Sequence, residues 1–329
     1  MDEIETKNMK HLLEEVQKIF DAEQYLATPD ELYRPIDYTL HLGGKRIRPF
    51  LLLAANQMFG GNIGEVRHAA IAIETFHNFT LLHDDLMDRS PLRRGKPTVY
   101  KLWGDNTAIL SGDTMFALAW RYLLQKPHPR LQEILNTFNE TAIEVCEGQQ
   151  YDMNFEQRDD VTVDEYMEMI RLKTAVLLAG ALKMGALYAQ APDEDIQHLY
   201  NFGIHLGLAF QLQDDLLDAF GDTATFGKAT GQDIRDNKKT RLYLQALQVA
   251  TPAQQERLRH LFASTPESAD DKVREVLDIY HQLGIRDLVR KAVDEEFLLA
   301  TRALQSINVD AALKAPLEGL VETLFDRKK

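Results

Sequence analysis

Two stretches decide how this chain is read: FHNFTLLHDDLMD at residues 76–88 and LGLAFQLQDDLLD at residues 206–218. Each is an apolar run with spacings of three and four that ends in Asp-Asp-x-x-Asp, and an apolar stripe of that period is a helix. At about 100° per residue, with the first Asp at 0°, the second lies near ~100° and the third near ~40°. Asp84, Asp85 and Asp88 therefore share one helix face, and Asp214, Asp215 and Asp218 share another. Three like charges on one arc raise one another's pKa and destabilise the helix unless a cation offsets them. Carboxylate-only donors select a hard ion, Mg²⁺ or Mn²⁺ rather than zinc, and Mg²⁺ completes its shell with water and substrate phosphate oxygens. The competing reading is a pair of solvated acidic helix ends. One motif alone leaves the two readings level, and the second copy on a second apolar helix weighs against the solvated one.

The same periodicity extends outward along nearly all of the 329 residues, with hardly any run of alternating β-branched residues. Breaks marked by Pro and Gly fall at 28–35, 59–63, 90–98, 126–130, 158–162, 192, 220–231 and 264–269. No low-complexity linker separates the helical stretches between them, so the expectation is a single all-α domain over 1–329. The 51 acidic and 37 basic side chains leave a net charge of −14, which repels nucleic acid phosphate and anionic lipid surfaces. An anionic ligand must then be held by local cations or by metal. The single cysteine, Cys146, excludes an intramolecular disulfide framework and a Cys-rich zinc site. The acidic start Met1–Glu5 lacks a basic-then-apolar leader, and the longest apolar run, Ala175 to Leu182, is far shorter than the ~18–20 residues of a membrane span. The expected setting is soluble and cytoplasmic.

Basic residues stand close to both acidic motifs. GGKRIRP at 43–49 puts two glycines before three cations, a loop-to-helix junction where N–H groups and side chains converge on an anion. Arg93-Arg94-Gly95 follows the first acidic motif, and Gly227-Lys228 and Lys238-Lys239-Thr240 follow the second. Singly, each is equally a solvated charge pair; their placement directly after the acidic helices links them to those motifs. His77, seven residues before Asp84, lies near ~20° on the same wheel and shares the carboxylate stripe.

Together these residues resemble the trans-prenyltransferases, the trans-isoprenyl diphosphate synthases. The resemblance is carried by GGKRIRP, Glu74 and His77, HDDLMD at 83–88, RRGKPT at 93–98, Gly112-Asp113, Lys173-Thr174, FQLQDDLLD at 210–218, GKATGQD at 227–233 and Lys238 to Thr240, in the family's order. It implies a single bundle of long helices around a deep central cavity, and a homodimer. It implies that the two aspartate triads hold Mg²⁺, three ions in relatives, around the diphosphate of an allylic substrate (dimethylallyl, geranyl or farnesyl). Arg93, Lys173, Lys228 and Lys238 would contact that diphosphate. Lys45, Arg48, His77 and Arg94 would bind isopentenyl diphosphate.

In such an enzyme the diphosphate departs, an allylic cation forms in a water-excluding apolar pocket, and Thr174 and Gln211 stabilise it until the double bond of isopentenyl diphosphate attacks. The family sets product length by bulk about a turn before the first motif, which here assigns Phe79 as the floor, Thr80 above it and Phe76 below. On an ideal wheel these lie near about −140°, −40° and −80°, beside the metal face, so the floor rests on the resemblance and two stacked phenylalanines equally suit a core helix. A single aromatic five residues before the motif resembles a C20 arrangement more than a C15 one. The basic end Arg327-Lys328-Lys329 resembles tails that close over the site in some relatives. A class I terpene cyclase carries a different second motif and no second diphosphate site, squalene-type synthases carry DxxxD, and non-catalytic subunits lose one aspartate motif. All three are disfavoured here.

Overall fold

The three-and-four periodicity is realised as helices in a computed structural model of the chain, which describes residues 3–221, 230–263 and 268–325. In chain order they are α1 (Glu3–Asp21), α2 (Asp30–His41), α3 (Ile47–Met58), α4 (Ile63–Met87), α5 (Val99–Trp103), α6 (Asp105–Leu123), α7 (Leu131–Glu156), α8 (Val163–Ile170), α9 (Val176–Tyr188) and α10 (Asp193–Phe220). There follow α11 (Gln232–Arg235), α12 (Arg241–Val249), α13 (Pro252–Ala263), α14 (Ala269–Gln282), α15 (Ile285–Ser306) and α16 (Ala311–Phe325). A π turn, Arg171–Ala175, joins α8 to α9. Among the described residues the sheet is one two-residue hairpin, β1 (Leu92–Arg93) against β2 (Lys96–Pro97). No described helix is long and apolar enough to cross a membrane.

Local chemistry explains the key boundaries. The Asn62 side chain accepts the Gly64 N–H at 2.8 Å and starts α4. Thr162 and Glu165 cap α8 reciprocally, Thr162 Oγ1 accepting the Glu165 N–H and the Glu165 carboxylate accepting the Thr162 N–H. Pro35, expected within a break, instead lies inside α2 and is buried. It stands one turn from the helix start, where its missing N–H forfeits a single backbone bond.

The chain gathers into two compact units: Met1–Phe138 with Ala181–Ile196 and Asn308–Leu320, and Asn139–Gly180 with Gln197–Ile307 and Val321–Lys329. In the first, α4 packs against α3 and α6, and Phe50, Leu52, Ile73 and Phe76 are among its fully buried side chains. Close approach of α4 and α6 depends on Gly112, where a Cβ would lie 2.2 Å from the His83 ring. In the second, α12 packs on α15 and α8, and α14 on α11 and α15.

Candidate active site

The first aspartate motif ends α4 within the first unit. Asp88 is the C-cap, and Arg89 and Arg94 adopt left-handed backbone at φ 54°, followed by Gly95 at 75°. Positive φ at both central residues, Arg94 and Gly95, makes the β1–β2 connection a tight two-residue turn that sends the chain straight back. Arg93 thereby returns onto the helix it has just left. Its fork closes on Asp85, with Nη2 at 2.6 Å from Oδ1 and Nε at 3.0 and 3.2 Å from the two oxygens, and it reaches Asp84 at 3.6 Å. Burial pushes the Asp85 carboxyl up, and Arg93 opposes that rise. Asp84 is partly exposed and Asp88 is exposed.

GGKRIRP folds against the same end of α4. At Gly44, φ is 135° and a Cβ would lie 2.7 Å from the Arg94 guanidinium, so the glycine makes room for that cation. Arg46, in left-handed backbone at φ 47°, turns inward. Its guanidinium pairs with Glu74 at 2.8 Å, donates to the Leu40 carbonyl and lies 4.4 Å from the centre of the Phe20 ring. Asn78 also donates to Glu74, at 3.1 Å. Arg48 and Arg94 stay charged above this buried carboxylate, although burial draws Arg48 down to about 10. Arg48 Nη1 lies 3.0 Å from His77 Nε2, and because arginine only donates, that nitrogen must accept. Burial and then the Arg48, Arg94, Arg93 and Arg46 charges hold the His77 pKa well below its usual value, so the ring is neutral. A small pocket in this unit is lined by Thr39, Leu42, Asn78, Asp85, Arg93 and Arg94, among others.

One helical turn earlier the wall is aromatic. Phe79, half-buried, stacks on Phe116 of α6 with centroids 5.4 Å apart and meets the His83 ring edge-on at 4.8 Å. Phe76, fully buried, touches Phe79 at 5.5 Å and Phe138 at 5.4 Å. The Thr80 hydroxyl donates to the His77 carbonyl at 2.8 Å, so it needs no other partner.

The second motif belongs to the second unit. Asp215, 3% exposed, accepts from the Tyr166 hydroxyl on one oxygen and from the Gln211 amide at 3.1 Å on the other. Gln211 in turn accepts from Thr174 at 3.1 Å. Burial, then the charge of Asp233, drives the Asp215 carboxyl well above its ordinary range. Asp218 accepts the backbone N–H groups of Gln232 and Asp233 at 3.2 and 3.0 Å and so caps α11. Asp214 is exposed. Lys173 and Lys238 meet on one carboxylate, Asp152 of α7, at 2.7 and 3.4 Å. Burial raises Asp152, but the two lysines outweigh it and hold its pKa low.

Among the described residues no three carboxylate, imidazole or thiolate groups enclose one ion position. Magnesium takes one or two carboxylates from protein and the rest of its ligands from phosphate and water. The donors are all hard oxygens, and Asp84, Asp88, Asp214 and Asp218 each keep some exposure. The residues present therefore fit magnesium better than zinc.

Residues 29–280 match the model of the polyprenyl synthetase family. The chain belongs to that family. It is 37% identical over 289 residues, 88% of each chain, to a short chain isoprenyl diphosphate synthase of Methanothermobacter thermautotrophicus. It is 34% identical over 329 residues, 99% of each chain, to a geranylgeranyl pyrophosphate synthase of Geoglobus acetivorans. A crystal structure of geranylgeranyl pyrophosphate synthase superimposes with a TM-score of 0.89 at 42% identity, covering all of both chains.

With the family known, the expected residues sort by environment. Arg48, His77, Arg93 and Arg94 gather around the first motif in one unit, and Lys45 is exposed beside them. Lys173, Lys238, Thr174 and Gln211 gather around the second motif in the other. Lys228 and the tail Arg327–Lys329 lie outside the described residues. Lys239 is a structural tie, donating to the Phe155 carbonyl at 3.0 Å and to that of Arg158. The sequence reading missed Asp152, Tyr166 and Phe116. Each acts only through a residue far away in the chain, and none stands in a motif that names it.

Proposed function

We propose that this prenyltransferase joins isopentenyl diphosphate head-to-tail to an allylic diphosphate, in a magnesium-dependent reaction that yields chiefly the C20 product. The observation that carries the reading is that two aspartate motifs occur on separate helices, each with its own set of cations. Around the first, Arg48, Arg94 and Lys45 present positive charge and neutral His77 offers a polar ring. That set suits a diphosphate that stays intact, as the one on isopentenyl diphosphate does. Arg93, Lys173, Lys228 and Lys238 hold the diphosphate that leaves. Bound magnesium, taken by carboxylates of the two triads, supplies the Lewis-acid charge that makes that diphosphate a leaving group. The Thr174 hydroxyl oxygen and the Gln211 amide face the allylic cation with dipoles and do not consume it. The double bond of isopentenyl diphosphate then attacks, and a proton is lost to the departed diphosphate, because among the described residues no side chain stands as an evident base.

Product length follows from the aromatic wall. Phe79 braced by Phe116 forms the floor, with Phe76 beneath it. A helical turn of ~5.4 Å is close to the length of one isoprene unit, so successive turns act as successive stops. We further infer a cytoplasmic homodimer; exposed Leu102, Ile109 and Leu110 in the first unit supply an apolar face for a partner.

Incubation with isopentenyl diphosphate and dimethylallyl, geranyl or farnesyl diphosphate, with and without Mg²⁺, tests the reading. The expected result is a Mg²⁺-dependent C20 diphosphate. Cyclic products without consumption of isopentenyl diphosphate would make the chain a cyclase, and inactivity with every primer would make it a silent subunit. In the same assay Phe79→Ala should shift products to C25 and beyond; an unchanged distribution at retained activity would make Phe79 a packing residue.

A further inference from the structure

The segment Val163–Tyr188 contains no proline, and its first glycine is Gly180, so its composition calls for one uninterrupted helix. It is interrupted all the same. Over Arg171–Ala175 the backbone opens into a π turn, with the Val176 N–H donating to the Arg171 carbonyl five residues back. A π turn amounts to one inserted residue, and such turns collect at functional sites.

The insertion changes which side chains share a face. In a straight helix Lys173, seven residues after Tyr166, would fall within about 20° of it, and Thr174 would fall about 80° away. Counting one residue fewer reverses the assignment: Thr174 comes within about 20° of Tyr166, and Lys173 swings to about 120°. The contacts follow the second pattern. Tyr166 and Thr174 both reach α10, on Asp215 and Gln211, while Lys173 reaches Asp152 of α7.

Two neighbouring helices seat the turn. A Cβ on Gly148 of α7 would lie 2.3 Å from the Lys173 backbone nitrogen and 2.7 Å from its Cα. One on Gly207 of α10 would lie 2.4 Å from the Ala175 Cα. The clashing atoms are backbone on the π-turn side, so no side-chain rotation relieves either clash.

We propose that the π turn, seated between Gly148 and Gly207, is the device that points Thr174 and Lys173 to their separate partners, and that these two glycines are positioning residues for the allylic half of the reaction. The proposal rests on the prenyltransferase reading, which turnover by the unaltered chain reports independently.

Deleting Arg171 removes the insertion. That side chain is partly exposed and pairs with Glu144 and Glu168, contacts of a kind that contribute little to stability. The deletion variant should unfold cooperatively near the parent's temperature. Its kcat with dimethylallyl and isopentenyl diphosphates should fall by about a hundredfold or more, because misplacing reacting groups by an ångström costs on that order. Affinity for inorganic diphosphate in Mg²⁺, measured by calorimetry, should weaken with it. The KM for isopentenyl diphosphate should stay within about twofold, because its groups lie outside this segment. Gly207→Ala should give the same split between kcat and that KM. Parental kcat in either folded variant overturns the proposal. Loss of cooperative unfolding in the deletion variant also overturns it, by giving the turn a structural role.

Discussion

Asp85 and Asp215 hold the same place in two DDxxD helices and are both buried, 5% and 3% exposed, yet one meets a cation and the other meets two neutral donors. The cause lies in the chain that follows each motif. After the first, a tight turn returns Arg93 to Asp85 within eight residues. After the second, Lys238, twenty residues beyond Asp218, pairs with Asp152 and Glu156, while Asp233 adds another carboxylate beside Asp215. The central carboxylate of the first motif is therefore paired with a cation before anything binds. The central carboxyl of the second meets hydrogen-bond donors in place of a cation, and burial beside Asp233 favours its protonated form until a cation arrives. A shared string of letters thus fixes the donor set but not the electrostatic state of the site.

The largest expected effect treats the motifs as equals. Asp84→Ala and Asp214→Ala each remove an accessible first carboxylate, and each should lower kcat by about a thousandfold or more while the helical circular dichroism stays intact. Near-parental turnover in one of them would break the symmetry of the pair and confine metal binding to the other motif.

The central positions should then separate the motifs. Asp85→Asn takes from Arg93 a bidentate partner, and with that arginine about one-third exposed the loss should be about 1–2 kcal/mol of stability in EDTA. Asp215→Asn replaces a buried carboxyl beside Asp233 with an amide that Tyr166 and a turned-over Gln211 can both satisfy. Its stability in EDTA should match or exceed the parent's, because an amide that is neutral at every pH replaces a buried carboxyl whose ionisation is opposed by burial and by Asp233. Urea denaturation of both variants measures this. Losses of equal size would mean that both central carboxylates are compensated alike.

These contrasts mark where sequence was informative. The helical class was legible because apolar spacing recurs throughout, and the two triads were legible because their geometry is local to one helix. Gly44 and Gly112 stood in recognised motifs, but their purpose, room for Arg94 and for the His83 ring, appears only when distant segments meet. Phe116 belongs to the aromatic floor yet lies 37 residues from Phe79 in an unmarked stretch of α6. Arg46 reads as one more cation in GGKRIRP, and only its left-handed backbone shows that it turns inward to Glu74. The π turn was illegible for the opposite reason: nothing in Arg171–Ala175 breaks a helix, and tertiary contact with two glycines accompanies the opening.

The smallest expected effect probes the charge left on the second motif. Asp233 is raised to about 7 by burial first and then by Asp218. The folded chain therefore holds a proton there that the unfolded chain has already released, and stability falls as pH rises from the ordinary carboxylate range to about 7. Asp233→Asn removes that dependence. In EDTA the variant's melting temperature should exceed the parent's by a margin that grows between about pH 4 and pH 7, levels off above it, and reaches about one to a few degrees. Comparing variant with parent at each pH cancels the opposing contributions of His77 and His68, whose lowered pKa values cost stability as pH falls. Mg²⁺ should shrink the margin, because a cation near Asp218 lowers the energy of the ionised form. A margin independent of pH would show that Asp233 is already compensated, and the second motif would then resemble the first in charge as well as in sequence.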